Sequence, residues 1–197
     1  MRKVVTGQMN SALIVTASEK SLAFFSEVLH SAFVDQLITA SSCGEARRTL
    51  LERDFDLVII NAPLRDESGE SLARHIALKG ITQVILVVAS EHFDASSSVC
   101  EDDGVLVLAR PLNKTIFWSA LKMARAMLSR LSRMQSDNSK LKQKIEDIRV
   151  VDRAKCVLIS HLNMDEQEAH RYIEKQAMDM RTTKRIIAEG ILKTYEN

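Results

Sequence analysis

Leu57-Val58-Ile59-Ile60-Asn61-Ala62-Pro63 sets four branched aliphatic residues before one polar residue and a proline. An apolar run without alternation is what a strand needs when it is covered on both faces. Pro63 has no N–H to extend a ladder, so the strand is expected to end near Asn61. Moving outward, similar short runs recur at Ala12–Val15, Leu37–Thr39, Val84–Val88 and Val105–Leu108. Helical spacing separates them: Leu22, Phe25, Val28 and Leu29; then Ala46, Leu50 and Leu51; then Leu72, Ile76 and Ala77. The Ser- and acid-rich stretch 94–103 carries the weakest helical pattern. Five buried strands alternating with helices predict an α/β, doubly wound parallel sheet.

The character of the chain changes after Arg110-Pro111. From Lys114 onward there is no proline, and Gly190 is the one glycine, so the rest is predicted helical. Leu131, Met134, Asn138, Leu141, Ile145 and Ile148 follow alternating steps of three and four. With Leu131 at heptad position a, a lone Asn138 sits at a in an otherwise apolar seam. That pattern favours a parallel two-stranded coil, and it makes these six residues candidates for dimerisation. Fewer than three heptads also leaves room for the helix to pack on its own domain. Three further helices are expected. The first covers about 149–161, with Ala154, Val157, Leu158 and His161 on one face. The second starts after Asn163 as N-cap with Glu166 as capping-box partner, turning Ala169, Tyr172, Ile173, Ala177 and Met180 inward. The third covers about 182–194 with Thr182 or Thr183 as cap and Ile186, Ile187, Gly190 and Ile191 inward. The resulting boundaries are an N-terminal tail over 1–10, the α/β domain over 11–125, the coil over 126–148 and a small helical domain over 149–197.

Composition narrows the function. Hydrophobic residues at 46% and charged residues at 27% suit a globular chain, and 5% aromatics imply aliphatic cores. No apolar run approaches the roughly 20 residues of a membrane span, and Met1–Thr6 lacks a secretory h-region, so a cytoplasmic location is expected without membrane contact. Cys43, Cys100 and Cys156 are scattered, as for free thiols serving as small buried fillers in a reducing compartment. The five histidines show no ligand spacing, so neither metal nor cofactor is expected. No nucleophile–base pair or Gly-rich phosphate loop suggests an enzyme. The net charge of +1 hides an asymmetry: residues 1–113 hold 10 Lys+Arg against 15 Asp+Glu, and residues 114–197 hold 17 against 11. An anionic partner is therefore sought in the helical half.

With these residues in view, the span of about 10–125 resembles the receiver domain of response regulators, a flavodoxin-like five-stranded fold. The resemblance implies two acids after strand one, an Asp ending strand three, a hydroxyl at the end of strand four and a Lys before Pro at the end of strand five. Here strand one ends Val15-Thr16-Ala17-Ser18 without an acid. Asn61 stands for the Asp, Val88 for the hydroxyl with Ser90 two residues late, and Arg110 for the Lys. Pro111 and Gly69 keep the frame. An amide is a poor nucleophile and Mg²⁺ has no carboxylates to bind, so phosphorylation at Asn61 is not expected. Thr16, Ala17, Asn61, Val88 and Arg110 then read as residues closing strand ends. A remodelled pocket for a small ligand or a docking partner is the alternative.

The last sixty or so residues resemble the ANTAR domain of transcription antiterminators. The match lies in Ala154-Lys155-Cys156-Val157-Leu158, in Met164-Asp165-Glu166-Gln167-Glu168-Ala169-His170-Arg171-Tyr172-Ile173 and in Gln176-Ala177-Met178-Asp179-Met180-Arg181. His170 departs from an often aromatic position. The order receiver, coil, ANTAR resembles amidase-operon antiterminators, whose receiver works without phosphate. The resemblance implies a homodimer that binds hairpins of a leader RNA and prevents a terminator from forming. Candidate RNA contacts are Lys155, Arg171, Lys175, Arg181, Lys184 and Arg185, with Gln176 and Thr182 as hydrogen-bonding side chains. The competing expectation is a solvated surface, with Arg171 paired to Glu168 and Lys175 near Glu174. Alternative functions are a regulator whose receiver docks a sensor or inhibitor protein, or one that binds DNA, although no helix-turn-helix pattern is visible.

Overall fold

A computed structural model describes residues 9–32 and 34–195. Most of the expected N-terminal tail, residues 1–8, and the last two residues of the expected helical domain lie outside the described residues. The chain divides into two compact units, 1–134 and 135–197. No described helix is long and apolar enough to cross a membrane.

The first unit is a five-stranded parallel sheet of order β2-β1-β3-β4-β5, formed by β1 (Ser11–Val15), β2 (Gln36–Ala40), β3 (Leu57–Asn61), β4 (Gln83–Ala89) and β5 (Leu106–Arg110). Alternate residues of each buried strand feed opposite faces. Leu13, Val15, Val58, Ile60, Leu86 and Val88 meet α2 (Cys43–Glu52), α3 (Glu70–Lys79) and α4 (Phe93–Cys100). Ala12, Ile14, Leu57, Ile59, Ile85 and Val87 meet α1 (Glu19–Ser31) and the start of α5 (Lys114–Leu162). On that side Phe25 and Phe117 lie 5.1 Å apart between ring centroids, filling a corner that the aliphatic strands leave open. Leu50 packs against the first face, but Leu51, expected inward, is 82% exposed. One residue of helix is a 100° turn, which carries it off α2's narrow buried stripe.

At the amino edge of the sheet, the buried Asp56 carboxylate accepts bonds from the Asn10 and Ser11 amides and from the Ser11 hydroxyl, each at 2.9 Å. These charge-assisted bonds fix the entry of β1 against β3. At the carboxyl edge, α3 begins at Gly69, whose φ of +93° is unfavourable for residues with a Cβ. A Cβ there would come within 2.9 Å of Ile60 Cγ2.

The second unit joins the end of α5 to α6 (Glu166–Asp179) and α7 (Lys184–Tyr195) around Ala154, Val157, Leu158, Ala169, Ile173, Ala188 and Ile191. Several local expectations need correction. The separate helix expected over about 149–161 is the last stretch of α5, because no residue there removes an N–H or demands a left-handed backbone. The N-cap of α6 is Asp165 in a capping box with Glu168, while Asn163 takes φ +51° after the end of α5. The sequence Asn163-x-x-Glu166 and Asp165-x-x-Glu168 both satisfy the capping pattern, and the exit turn of α5 selects the second. Tyr172, Met180 and Ile186, expected inward, are exposed; Ala188 takes a core position on α7 instead. His161 is also exposed, stacked 5.3 Å from Tyr195. Cys43 and Cys100 are buried as fillers, but Cys156 is exposed.

Replacing Gly69 by Ala is expected to destabilise the first unit by about 2 kcal/mol, from backbone strain plus the Ile60 clash. Urea unfolding followed by the fluorescence of Trp118, the single tryptophan, measures it.

Candidate functional site

Two regions hold the candidate residues. The first is the carboxyl edge of the sheet. Thr16 is buried, and its Oγ1 accepts from Asn61 Nδ2 at 3.1 Å and from the Ser18 amide at 3.2 Å. Asn61 Oδ1 is enclosed without a partner among the described residues. Arg110, at the end of β5, reaches across β4 to donate from Nη2 to the Ala62 carbonyl at 2.6 Å. Its own carbonyl accepts from the Ser90 hydroxyl. Val88 is 4% exposed and belongs to the core, and Ala17 is exposed with no described side-chain role. The ends of β1 and β3 are thus tied by Thr16–Asn61, and those of β3, β4 and β5 by Arg110 and Ser90.

The loop after β3 is pinned as well. Asp66 accepts from the Cys43 and Gly44 amides at 3.0 and 2.9 Å, capping α2, and Glu67 forms a two-bond pair with Arg47. Both carboxyls lie below their ordinary range, Asp66 through the Gly44 and Cys43 amides and Glu67 through Arg47. Cys43, Asp66 and Glu67 bring ligand-type atoms within 4.8 Å of one another, a cluster the sequence did not suggest because 23 positions separate its members. The Cys43 thiol is pushed up to about 11, first by burial and then by these two carboxylates. It stays protonated at neutral pH, and both acids already serve backbone and Arg47, so the cluster fits a helix cap better than a cation.

The second region lies in the helical unit. Lys155, Lys184 and Arg185 line one cleft of about 350 Å³ together with Asp147, Ile148, Val151, Asp152, His170 and Thr183. Each cation there is paired. Lys155 meets Asp152 at 2.7 Å and Glu166 at 3.4 Å; Lys184 meets Glu174, which also meets His170 at 3.3 Å; Arg185 meets Asp147 and Glu189 at 2.7 Å each. Arg185 holds the Asp147 carboxyl below its ordinary range, helped by Gln143, and Lys184 does the same for Glu174. Asp152 raises Lys155 further.

Arg171, Lys175 and Arg181 differ. All three are exposed, and none has an ion pair among the described residues. The expected surface partners are engaged elsewhere: Glu168 closes the capping box and Glu174 binds Lys184. Arg181 also has a left-handed backbone at φ +49°. Its amide donates to the Met178 carbonyl at 3.1 Å and that of Thr182 to Ala177 at 2.9 Å, a helix-ending motif in which glycine is the usual residue. Gln176 and Thr182 are half-buried beside it, and Thr183 caps α7, its hydroxyl accepting from the Ile186 amide at 3.4 Å.

Along α5, Leu131, Met134, Leu141, Ile145 and Ile148 are all exposed, as is Asn138. Residues 133–146 are exposed on every side of the helix.

Residues 139–192 match the family model of the ANTAR domain. The transcriptional regulatory protein PdtaR of Mycobacterium tuberculosis is 27% identical over 139 residues, covering 71% of this chain and 68% of that protein. The aliphatic amidase regulator of Pseudomonas aeruginosa is 25% identical over 111 residues, 56% of this chain and 57% of that protein. Among solved structures, a CheY-like response regulator receiver domain protein from Methanospirillum hungatei superposes with a TM-score of 0.54 at 18% identity, covering 62% of this chain and 98% of that one. The signal receiver domain of an HD domain-containing protein from Pseudomonas fluorescens gives 0.53 at 24% identity, covering 61% and 89%. These structural likenesses establish the receiver fold.

Because paired carboxylates in the helical unit have lowered pKa values, the stability they contribute is present above the ordinary carboxylate range and is lost as pH falls through the folded values. Thermal melts by circular dichroism below about pH 4.5 are expected to show a shallower acid loss for Asp147→Asn than for the parent, with little difference in slope between them near pH 7.

Proposed function

We propose that this chain, a regulator joining a receiver-fold domain to an ANTAR domain over residues 139–192, binds hairpins in leader RNA as a dimer and so lets transcription pass a terminator. The observation that carries the reading is that the ANTAR match spans all eight candidate RNA residues. The relatives agree in kind, being a transcriptional regulatory protein and an amidase regulator.

Physical features divide the candidates. Arg171, Lys175 and Arg181 are exposed cations without an ion pair among the described residues, and such cations gain most from meeting phosphates because no partner has to be displaced. Arg181 also keeps a backbone conformation that costs about 1 kcal/mol more than it would for glycine. Strain of this kind is retained where the side chain itself is needed. Asn61 and Arg110 support input without phosphate: the acceptor position is an amide, and the cation that would grip a phosphoryl group instead holds the Ala62 carbonyl. Input then comes from a partner bound to the receiver. The exposed stripe from Leu131 to Ile148 supports pairing with a second copy, with Asn138 setting the parallel register.

Arg181→Gly is expected to raise the stability of the helical unit by about 0.5–1 kcal/mol and yet weaken binding to tandem-hairpin leader RNA by about tenfold, a charge-assisted contact being worth about 1.4 kcal/mol. Melts paired with gel shifts read both; failure of the parent to shift any such RNA at low salt would refute the function. Leu141→Asp with Ile145→Asp is expected to give a monomer by sedimentation, with its secondary structure retained, since both side chains are exposed and lie outside the core of their own unit.

A further inference from the structure

The cleft between α5, α6 and the start of α7 is not built for phosphate. Its cations are already neutralised by Asp147, Asp152, Glu166, Glu174 and Glu189. A phosphate entering it would have to compete with those carboxylates and lie close to several of them. Val151 gives it an apolar lining, and the exposed Ile148, last residue of the pairing stripe, borders it. Its volume of about 350 Å³ is at the small end of ligand sites, room for one planar group.

The two aspartates on its wall are half used. Asp147 accepts from Arg185 and from Gln143 through the same oxygen, Oδ1. Asp152 meets Lys155 through Oδ1. Oδ2 of each has no partner among the described contacts and remains available as an acceptor. That combination suits a neutral flat ring that carries hydrogen-bond donors on its edge.

We propose that this cleft receives one unstacked base of the RNA loop, and that Asp147 and Asp152 select a base with an exocyclic amino group over uracil. The assignment rests on the RNA-binding reading above and divides the labour within it. Arg171, Lys175 and Arg181 meet the phosphate backbone, and the paired cleft reads sequence. Single-stranded RNA is read in this way, by bases splayed from the loop and bonded on their edges. Lys155 and Arg185 then act mainly as positioning residues that hold Asp152 and Asp147, and their pairing, with that of Lys184 to Glu174, keeps the cleft from attracting arbitrary anions.

The test uses the intact protein and a hairpin selected from a pool with randomised loops. Each loop position is replaced by A, C, G, U and an abasic nucleotide, and affinities are measured over a range of salt. One position is expected at which the abasic change weakens binding about tenfold or more, and at which amino-bearing bases exceed uracil by a similar factor. Asp147→Asn and Asp152→Asn should each collapse that preference to below about threefold with the salt slope unchanged. Glu52→Gln makes the same change in net charge at an exposed position of the first unit and should leave the preference intact. Arg171→Ala should instead reduce the salt slope by about one contact with the preference retained. A loop position whose preference survives in both aspartate variants, or a loop with no base-sensitive position, overturns the cleft assignment and leaves RNA binding standing. A pool that yields no binding hairpin overturns both.

Discussion

Helix α5 completes two hydrophobic cores with a single hydrogen-bond ladder. Toward its start Phe117, Leu121 and Leu128 close one face of the sheet; toward its end Ala154, Val157 and Leu158 form one wall of the helical unit. Each of the larger of these side chains contributes about 1.5–3 kcal/mol when fully buried, and neither core is closed without its share. The ladder between them has no internal packing to support it over 133–146. Propensity and side-chain pairs along the helix are modest there, a few tenths of a kcal/mol each. A stretch of this kind with an apolar stripe is well suited to gain its stability from a second helix.

The receiver-fold unit keeps the architecture that places chemistry at the carboxyl edge of a parallel sheet, and replaces the chemistry. Where a carboxylate would hold a cation, Asn61 donates to Thr16. Where a cation would wait for a phosphoryl group, Arg110 bonds a backbone carbonyl. The nearby acids Asp66 and Glu67 cap α2 and pair with Arg47. Every one of these exchanges turns a group that would respond to a ligand into one that ties neighbouring strand ends or loops together, so the edge is stabilised at the expense of reactivity.

The helical unit handles charge in two ways within a short span. Cations around the cleft are each paired with a carboxylate, and those on the outer side of α6 and in the following turn have no ion pair among the described residues. Exposed pairs add little stability, so their main effect is on what the surface attracts: a paired cation presents almost no net charge to an approaching polyanion, an unpaired one presents all of it. Net charge alone, positive in the helical half, does not make this distinction.

The five strands, the doubly wound class, the substitutions at Asn61 and Arg110 and the heptad stripe were legible in the sequence, because each depends on residue type at short spacing. Helix phase was less so. Leu51, Tyr172, Met180 and Ile186 sit beside buried positions and are exposed, since one residue turns the helix by 100° and only the packed neighbour decides which side is covered. The cap of α6 shows the same limit, two registers of one pattern lying two residues apart. Pairing was out of reach altogether: that Glu174 meets Lys184, that Asp147 meets Arg185 38 positions away, and that Arg171, Lys175 and Arg181 have no ion pair among the described residues. Sequence alone determined which stretches are strand and which are helix, and which residue types stand at the sheet's carboxyl edge, since those are properties of local composition. Tertiary structure alone decided which charges are cancelled and where a cleft opens, because Coulomb interactions and cavities depend on distances between segments that sequence spacing does not encode.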